Sequence, residues 1–233
     1  MSWALVPAAG SGRRFGGGIP KQYLHAVGKP LIQHALEALL AHPDIEGVVV
    51  ALAEGDHRWP GWTWLCGKPV LTCVGGAERA DSVLAAVQAL PEAVEADTLL
   101  LVHDAARPNL HRNDIDRLLA AAHVCADGAI LAAPVRDTLK RGDGEGHIVA
   151  TAPRDGLWRA LTPQAFCRDL LQLALGAAQD DGIAVTDEAM AVECLGRHPQ
   201  LVEGREDNIK VTTPADLALV EFLLSKRCAE AIL

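Results

Sequence analysis

The first residues that could do chemistry lie close together near the start of the chain. Val6-Pro7-Ala8-Ala9-Gly10-Ser11-Gly12-Arg13-Arg14 is followed, across Gly16-Gly17-Gly18, by Pro20-Lys21-Gln22-Tyr23. Glycines let backbone N–H groups approach a ligand closely, and guanidinium and ammonium groups match phosphate oxygens. No carboxylate precedes Glu37, although the 233-residue chain carries a formal charge of -9. An acidic protein that opens with a purely cationic, glycine-rich segment reads as a cradle for polyphosphate. Read by composition alone, the same segment is a basic surface loop.

Spacing excludes the familiar alternatives. After Gly10 and Gly12 the third glycine of a dinucleotide fingerprint is replaced by Phe15. Lys21 stands between Pro20 and Gln22, which fails the Gly-Lys-Ser/Thr of a Walker loop, and Ser11 fails the G-x-S-x-G elbow of serine hydrolases. The six cysteines form no C-x-x-C pair and the nine histidines show no zinc-ligand spacing, so reduced thiols and a cytoplasmic location are expected. The acidic balance argues against a nucleic-acid partner, and no run is long enough to cross a membrane.

The elements that must position these residues follow from hydrophobic pattern. Half of the residues are hydrophobic, enough for a single domain over 1–233 with a real core. Apolar runs at Trp3–Val6, Glu46–Leu52, Val70–Val74, Thr98–Val102 and Ala129–Val135 read as strands, Trp3–Val6 buried and Glu46–Leu52 with the pattern of a sheet covered on both faces. Amphipathic stretches at Pro30–His42, Asp81–Leu90, Asn113–Ala126, Cys167–Gln179 and Thr186–Leu195 read as helices, and Thr213-Pro214 starts a last one. Leu201–Glu203 and Ile209–Thr212 read as short strands. The alternation predicts an α/β fold, a mostly parallel twisted sheet flanked by helices. Residues 136–154 break the rhythm as a polar hairpin around Gly142–Gly146, either a solvated excursion or an arm gripping a second subunit. The tryptophan-rich stretch from Glu54 to Pro69 is read as a packed surface loop rather than a base-stacking platform.

In parallel sheets ligands bind outside the carboxyl ends of the strands. The opening segment, Gly75-Gly76 and His103-Asp104 all follow strands, so three separate segments are expected to meet at one edge. Two cations beside a phosphate cradle, with an aspartate at a neighbouring strand end, suit nucleotidyl transfer. Charge developing on an α-phosphate needs fixed positive partners, and a divalent cation must screen the triphosphate. Asp104 either orients that ion or caps the following turn.

The motifs then carry a resemblance. Pro7–Gly10 with Gly12-Arg13-Arg14, Pro20–Tyr23, Glu78-Arg79-Ala80-Asp81-Ser82-Val83, Val102–Pro108, Ala132–Thr138, Leu161–Gln164, Thr186–Ala189, Val202–Arg205, Asp207–Thr212 and Pro214–Leu217 together resemble the 2-C-methyl-D-erythritol 4-phosphate cytidylyltransferases. The resemblance implies transfer of cytidylyl from CTP to methylerythritol phosphate, in isoprenoid precursor synthesis, by a Rossmann-like nucleotidyltransferase fold. It implies Arg14 and Lys21 as catalytic residues, and CTP contacts from Ala8, Ala9, Gly10, Gly12, Gly76, Ser82, Asp104 and Ala105. The acceptor would meet Arg107, Thr162, Thr186 and Lys210, with Thr138 and Arg154 reaching it in the partner subunit of a homodimer. The implied cofactor is a divalent cation, Mg2+, held mainly through the CTP phosphates and by Asp104.

The chain departs from that pattern at Ala77, where family members often carry an acidic residue, and in its run Gly16-Gly17-Gly18. Two rivals stay open on sequence: a cytidylyltransferase for another polyol phosphate such as ribitol 5-phosphate, and a non-catalytic nucleotide-binding subunit. Neither Arg13 nor the tryptophan stretch receives a role.

Overall fold

A computed structural model describes residues 1–10 and 18–230. Gly12, Arg13 and Arg14 therefore lie outside the described residues. The first strand, β1 (Ser2–Pro7), is followed by a 3-10 turn (Lys21–Tyr23), a small hairpin of β2 (His25–Ala26) and β3 (Lys29–Pro30), and helix α1 (Leu31–Leu40). Next come β4 (Ile45–Leu52), β5 (Trp64–Leu65), β6 (Lys68–Val74), α2 (Arg79–Gln88), β7 (Leu99–Val102), α3 (Arg112–Val124) and β8 (Ala129–Pro134). The chain continues through β9 (Leu139–Gly142), β10 (Ile148–Ala152), β11 (Trp158–Cys167), α4 (Arg168–Asp180), α5 (Glu188–Cys194), β12 (Gln200–Glu203) and α6 (Pro214–Glu230).

Eight strands form one sheet in the order β12-β8-β11-β7-β1-β4-β6-β5. The pairs β7·β1, β1·β4, β4·β6 and β8·β12 are parallel, while β11 runs antiparallel to both neighbours and β5 antiparallel to β6. Alternation along β1 feeds two layers. Ala4 and Val6 pack with Leu36 of α1 and Leu118 of α3, whereas Trp3 and Leu5 pack with Val83 of α2 and Leu171 of α4. A third cluster seats Val220 and Leu224 of α6 against Ala26 and Val211.

The structure adds a strand that the apolar pattern does not announce. The ten residues of β11 include Thr162, Pro163 and Gln164, and its pairing with β8 shifts register between Ala160 and Gln164. Proline cannot donate to a ladder and polar side chains interrupt the alternation, so the segment has no strand signature. Conversely, Ile209–Thr212 is not a strand. It is a loop tied to the β7 exit by Val211 N–H donating to the Ala106 carbonyl at 2.9 Å. Helix α5 is capped by Asp187, whose carboxylate accepts from Met190 N–H at 3.0 Å, and not by Thr186.

The excursion at 136–154 is the expected two-stranded ribbon of β9 and β10, separate from the main sheet. It exposes Ile148 and Val149, 68% and 63% accessible. Among the described residues no helix is long and apolar enough to cross a membrane.

Candidate active site

Carboxyl ends of the parallel strands converge as their backbones stay paired past the strand limits. Ala8 N–H donates to Ala51 at 2.8 Å, Gly75 N–H to Leu52 at 2.7 Å and His103 N–H to Leu5 at 2.9 Å. Outside this edge lies a cavity of about 1130 Å³ lined by Ala8, Ala9, Gly10, Lys21, Gly76, Ser82, Asp104, Ala105 and Lys210, among others. That volume accommodates a nucleotide and a small second reactant. Among the described residues its charged lining consists of three cations, Lys21, Arg79 and Lys210, facing two carboxylates, Glu78 and Asp104.

Glycine at position 75 is demanded by contact rather than by flexibility. A Cβ there would come within 2.7 Å of both Ala9 Cβ and Ser82 Oγ, so a side chain would force β1 and α2 apart. At Gly76 a Cβ would overlap Asp81. The N-terminus of α2 thus lies beside the β1 exit with Glu78, Arg79 and Ser82 on the cavity wall, and a capping box closes it: the Glu78 carboxylate accepts the Asp81 N–H, and the Asp81 carboxylate accepts the Glu78 N–H at 3.0 Å. Across the cavity, the buried Gln22 amide donates to the carbonyls of Ala8 at 2.7 Å and Gly10 at 3.2 Å. This fastens the turn that carries Lys21 back onto the β1 exit.

Asp104 is the electrostatic centre. Its Oδ1 accepts from Arg79 Nε at 3.1 Å, and its Oδ2 lies 3.4 Å from Arg107 Nε and 2.8 Å from Lys210 Nζ. Burial alone would raise its carboxyl, but Arg79, Lys210 and Arg107 outweigh burial and hold it well below the usual carboxylate range. Arg79 also reaches Glu188 with both terminal nitrogens, at 2.6 and 3.1 Å. Glu188 is 1% exposed, and burial pushes its carboxyl up against the opposing pull of Arg79.

Beneath Asp104, proton counting fixes a tautomer. The fully buried His103 has Nε2 at 2.9 Å from the Arg107 carbonyl, which only accepts, so Nε2 carries the proton. Nδ1 then accepts from the Thr162 hydroxyl at 2.9 Å, and Thr162 Oγ1 in turn accepts the Asp104 N–H at 3.1 Å. The chain of bonds orients the backbone that presents Asp104.

Two acceptor residues expected from sequence are thereby placed elsewhere. Thr162 is 4% exposed and spent on His103 and Asp104. Arg107 is 9% exposed and donates to the Asn208 carbonyl at 2.7 Å and the Ala160 carbonyl at 3.5 Å, tying β11 to the 205–210 loop. Neither lines the cavity. Thr138, Arg154 and Thr186 are exposed and also lie off its wall. Sequence reasoning gave no role to Arg79, Gln22 or Glu188, although the motifs Pro20–Tyr23, Glu78–Val83 and Thr186–Ala189 contain them.

A resident divalent ion does not fit the described side chains. No group of three or more His, Cys, Asp or Glu residues among them could hold a metal, and both Asp104 oxygens already face cations.

The architecture and its cleft define a nucleotidyltransferase fold. The chain aligns with the crystal structure of the Francisella tularensis 2-C-methyl-D-erythritol 4-phosphate cytidylyltransferase at a TM-score of 0.82 and 30% identity, covering 95% of this chain and 99% of that one. It is 62% identical over 225 residues to the Xanthomonas campestris pv. campestris (strain 8004) protein of the same name, covering 97% of this chain and 85% of that one. A Stenotrophomonas maltophilia (strain K279a) relative of the same name is 60% identical, with 97% of each chain covered. The family model described as IspD, 2-C-methyl-D-erythritol 4-phosphate cytidylyltransferase, matches residues 2–226, and the chain belongs to that family.

His103 gives the site a pH signature. Burial, the largest influence, lowers it to about 4, whereas an unfolded histidine titrates near ~6.5. Between those values the unfolded chain binds a proton that the folded chain refuses, so stability falls as pH drops and is complete above ~6.5. The full loss is about 3 kcal/mol. Urea unfolding from about pH 7 to about pH 5 is expected to show a shallower decline in His103→Gln than in the unmodified protein. Parallel slopes would contradict the neutral, buried assignment.

Proposed function

We propose that this chain joins CTP to 2-C-methyl-D-erythritol 4-phosphate, giving 4-diphosphocytidyl-2-C-methyl-D-erythritol and pyrophosphate in the non-mevalonate isoprenoid pathway. The observation that carries this reading is the family match over residues 2–226, with the Xanthomonas campestris and Stenotrophomonas maltophilia relatives 62% and 60% identical. A phosphate oxygen of the acceptor forms the new bond to the α-phosphorus of CTP. The bond from that phosphorus to the bridging oxygen breaks, and pyrophosphate leaves with its electron pair. Lys21 stabilises the charge that builds on the α-phosphate, and Arg14, outside the described residues, is assigned the same task.

CTP is assigned to the wall of Ala8, Ala9, Gly10, Gly76, Ser82 and Ala105, with Gly12 continuing it outside the described residues. Small side chains there leave backbone groups to read the base edge. Cytosine presents an amino donor where uracil presents a carbonyl acceptor, so fixed backbone groups separate the two. Asp104 is assigned to the CTP side, near the ribose and the substrate hydroxyls, and Lys210, 2.8 Å from it, to the acceptor. Arg107 and Thr162 act beneath them as positioning residues. The divalent ion, Mg2+, is read as part of the metal–CTP substrate, in keeping with the absence of a protein cage among the described residues.

The 136–154 arm is read as a dimerisation element that brings Thr138, Arg154 and their neighbours to the partner's cleft, supported by the apolar surface on β10. We place the enzyme in the cytoplasm.

Pyrophosphate release with each nucleoside triphosphate is expected only for CTP, and with methylerythritol phosphate well above ribitol 5-phosphate. Faster release with ribitol 5-phosphate would replace the acceptor, and none with any pair would favour a binding subunit. Lys21→Ala is expected to lower kcat by ~10²–10³ while changing the KM for CTP far less. Normal turnover at saturating CTP would remove Lys21 from the reacting centre. At micromolar protein, light scattering is expected to return the mass of two chains, and a monomer would refute the shared site.

A further inference from the structure

Lys21 sits on the 3-10 turn Lys21–Tyr23, and the other end of that turn is held from outside the nucleotide cleft. Tyr23 is 8% exposed, packed in the main core, and its hydroxyl donates to Asp56 Oδ2 at 2.7 Å. Burial and then Asp56 raise the phenol well above its ordinary range, so it remains a donor throughout the working pH range. Asp56 is itself fixed. Its Oδ1 accepts from Arg58 N–H at 3.0 Å, its own N–H donates to Ala53 at 3.2 Å, and Gly55 supplies the left-handed backbone (φ 66°) that the turn requires. Arg58 reaches across to the Gly18 carbonyl at 3.4 Å.

The tryptophan stretch anchors this loop. Trp59 and Trp62 meet edge to face, with ring centroids 5.2 Å apart and planes at 75°, and both pack on the main hydrophobic core. Rigid aromatic ballast just after Asp56 and Arg58 explains why such large side chains stand in a surface loop.

We propose that the 53–62 loop is a clasp that sets the position of Lys21, with Tyr23 and Asp56 as positioning residues for the transfer reaction. Gln22 fastens the turn to the β1 exit and Tyr23 fastens it to the β4 exit, so the lysine between Pro20 and these two ties has little freedom to drift. Fixed placement matters because a cation stabilises a developing charge only if it is already aimed there. The proposal rests on the reading of Lys21 as a catalytic cation.

The test compares kcat and the KM for CTP in the intact enzyme for Tyr23→Phe, Lys21→Ala and the double variant, with melting temperatures alongside. Tyr23→Phe is expected to lower kcat about tenfold with little change in KM. In the Lys21→Ala background the same substitution is expected to cost nothing further, because the group it positions is gone. Asp56→Ala should match Tyr23→Phe, and Asp56→Asn, whose single amide oxygen can accept from either the phenol or the Arg58 N–H but not both, should fall between Asp56→Ala and the unmodified protein. A lower melting temperature with unchanged kcat, or losses that multiply in the double variant, would reduce the clasp to a stability element and overturn the proposal. If Lys21→Ala alone turned over normally, the catalytic reading of Lys21 would fail first and the clasp with it.

Discussion

One carboxylate surrounded by three cations governs how this site is assembled. Asp104 leaves the end of β7 with 7% of its surface exposed, and an isolated ionised carboxylate at that depth would be very unfavourable. Arg79 from α2, Arg107 from the β7 exit and Lys210 from the loop before α6 offset that cost. Each tie also fixes something else. Arg79 carries the link on to Glu188 of α5, and Arg107 carries it to β11 and the Asn208 carbonyl. Elements distant in sequence are thereby brought to one strand edge with an excess of positive charge toward the cavity.

The wall formed by the β1 exit and the start of α2 is built by a different constraint, close approach. Gly75 and Gly76 allow α2 to sit against the exit of β1 with no side chain between them. Gln22 then folds the Lys21 turn back over Ala8 and Gly10. Rigid backbone thus lines one side of the cleft and paired charges line the other.

Much of this was legible in the chain because buried parallel strands cannot be polar on either face. The runs at β1, β4, β7 and β8 declare themselves, and the three segments that follow strand ends meet as expected. What escaped did so for physical reasons. Strand β11 holds Pro163 and the polar pair Thr162 and Gln164, whose partners lie in distant segments and leave no periodic trace. Arg107 and Arg79 are the same residue type in similar motifs, yet one is spent on internal carbonyls and the other lines the cavity. Residue type reports a charge but not the direction in which it faces. The tryptophans looked unconnected to chemistry because their influence runs through Asp56 and Tyr23.

We infer that these pieces form one CTP site at the strand edge. A crystal structure of the protein with CTP tests it most directly. The base is expected against Gly76 and Ser82, and the triphosphate beside Gly10 and Lys21, with the α-phosphorus open toward Lys210. CTP bound away from that cleft, or with its phosphates remote from Lys21, would contradict the account.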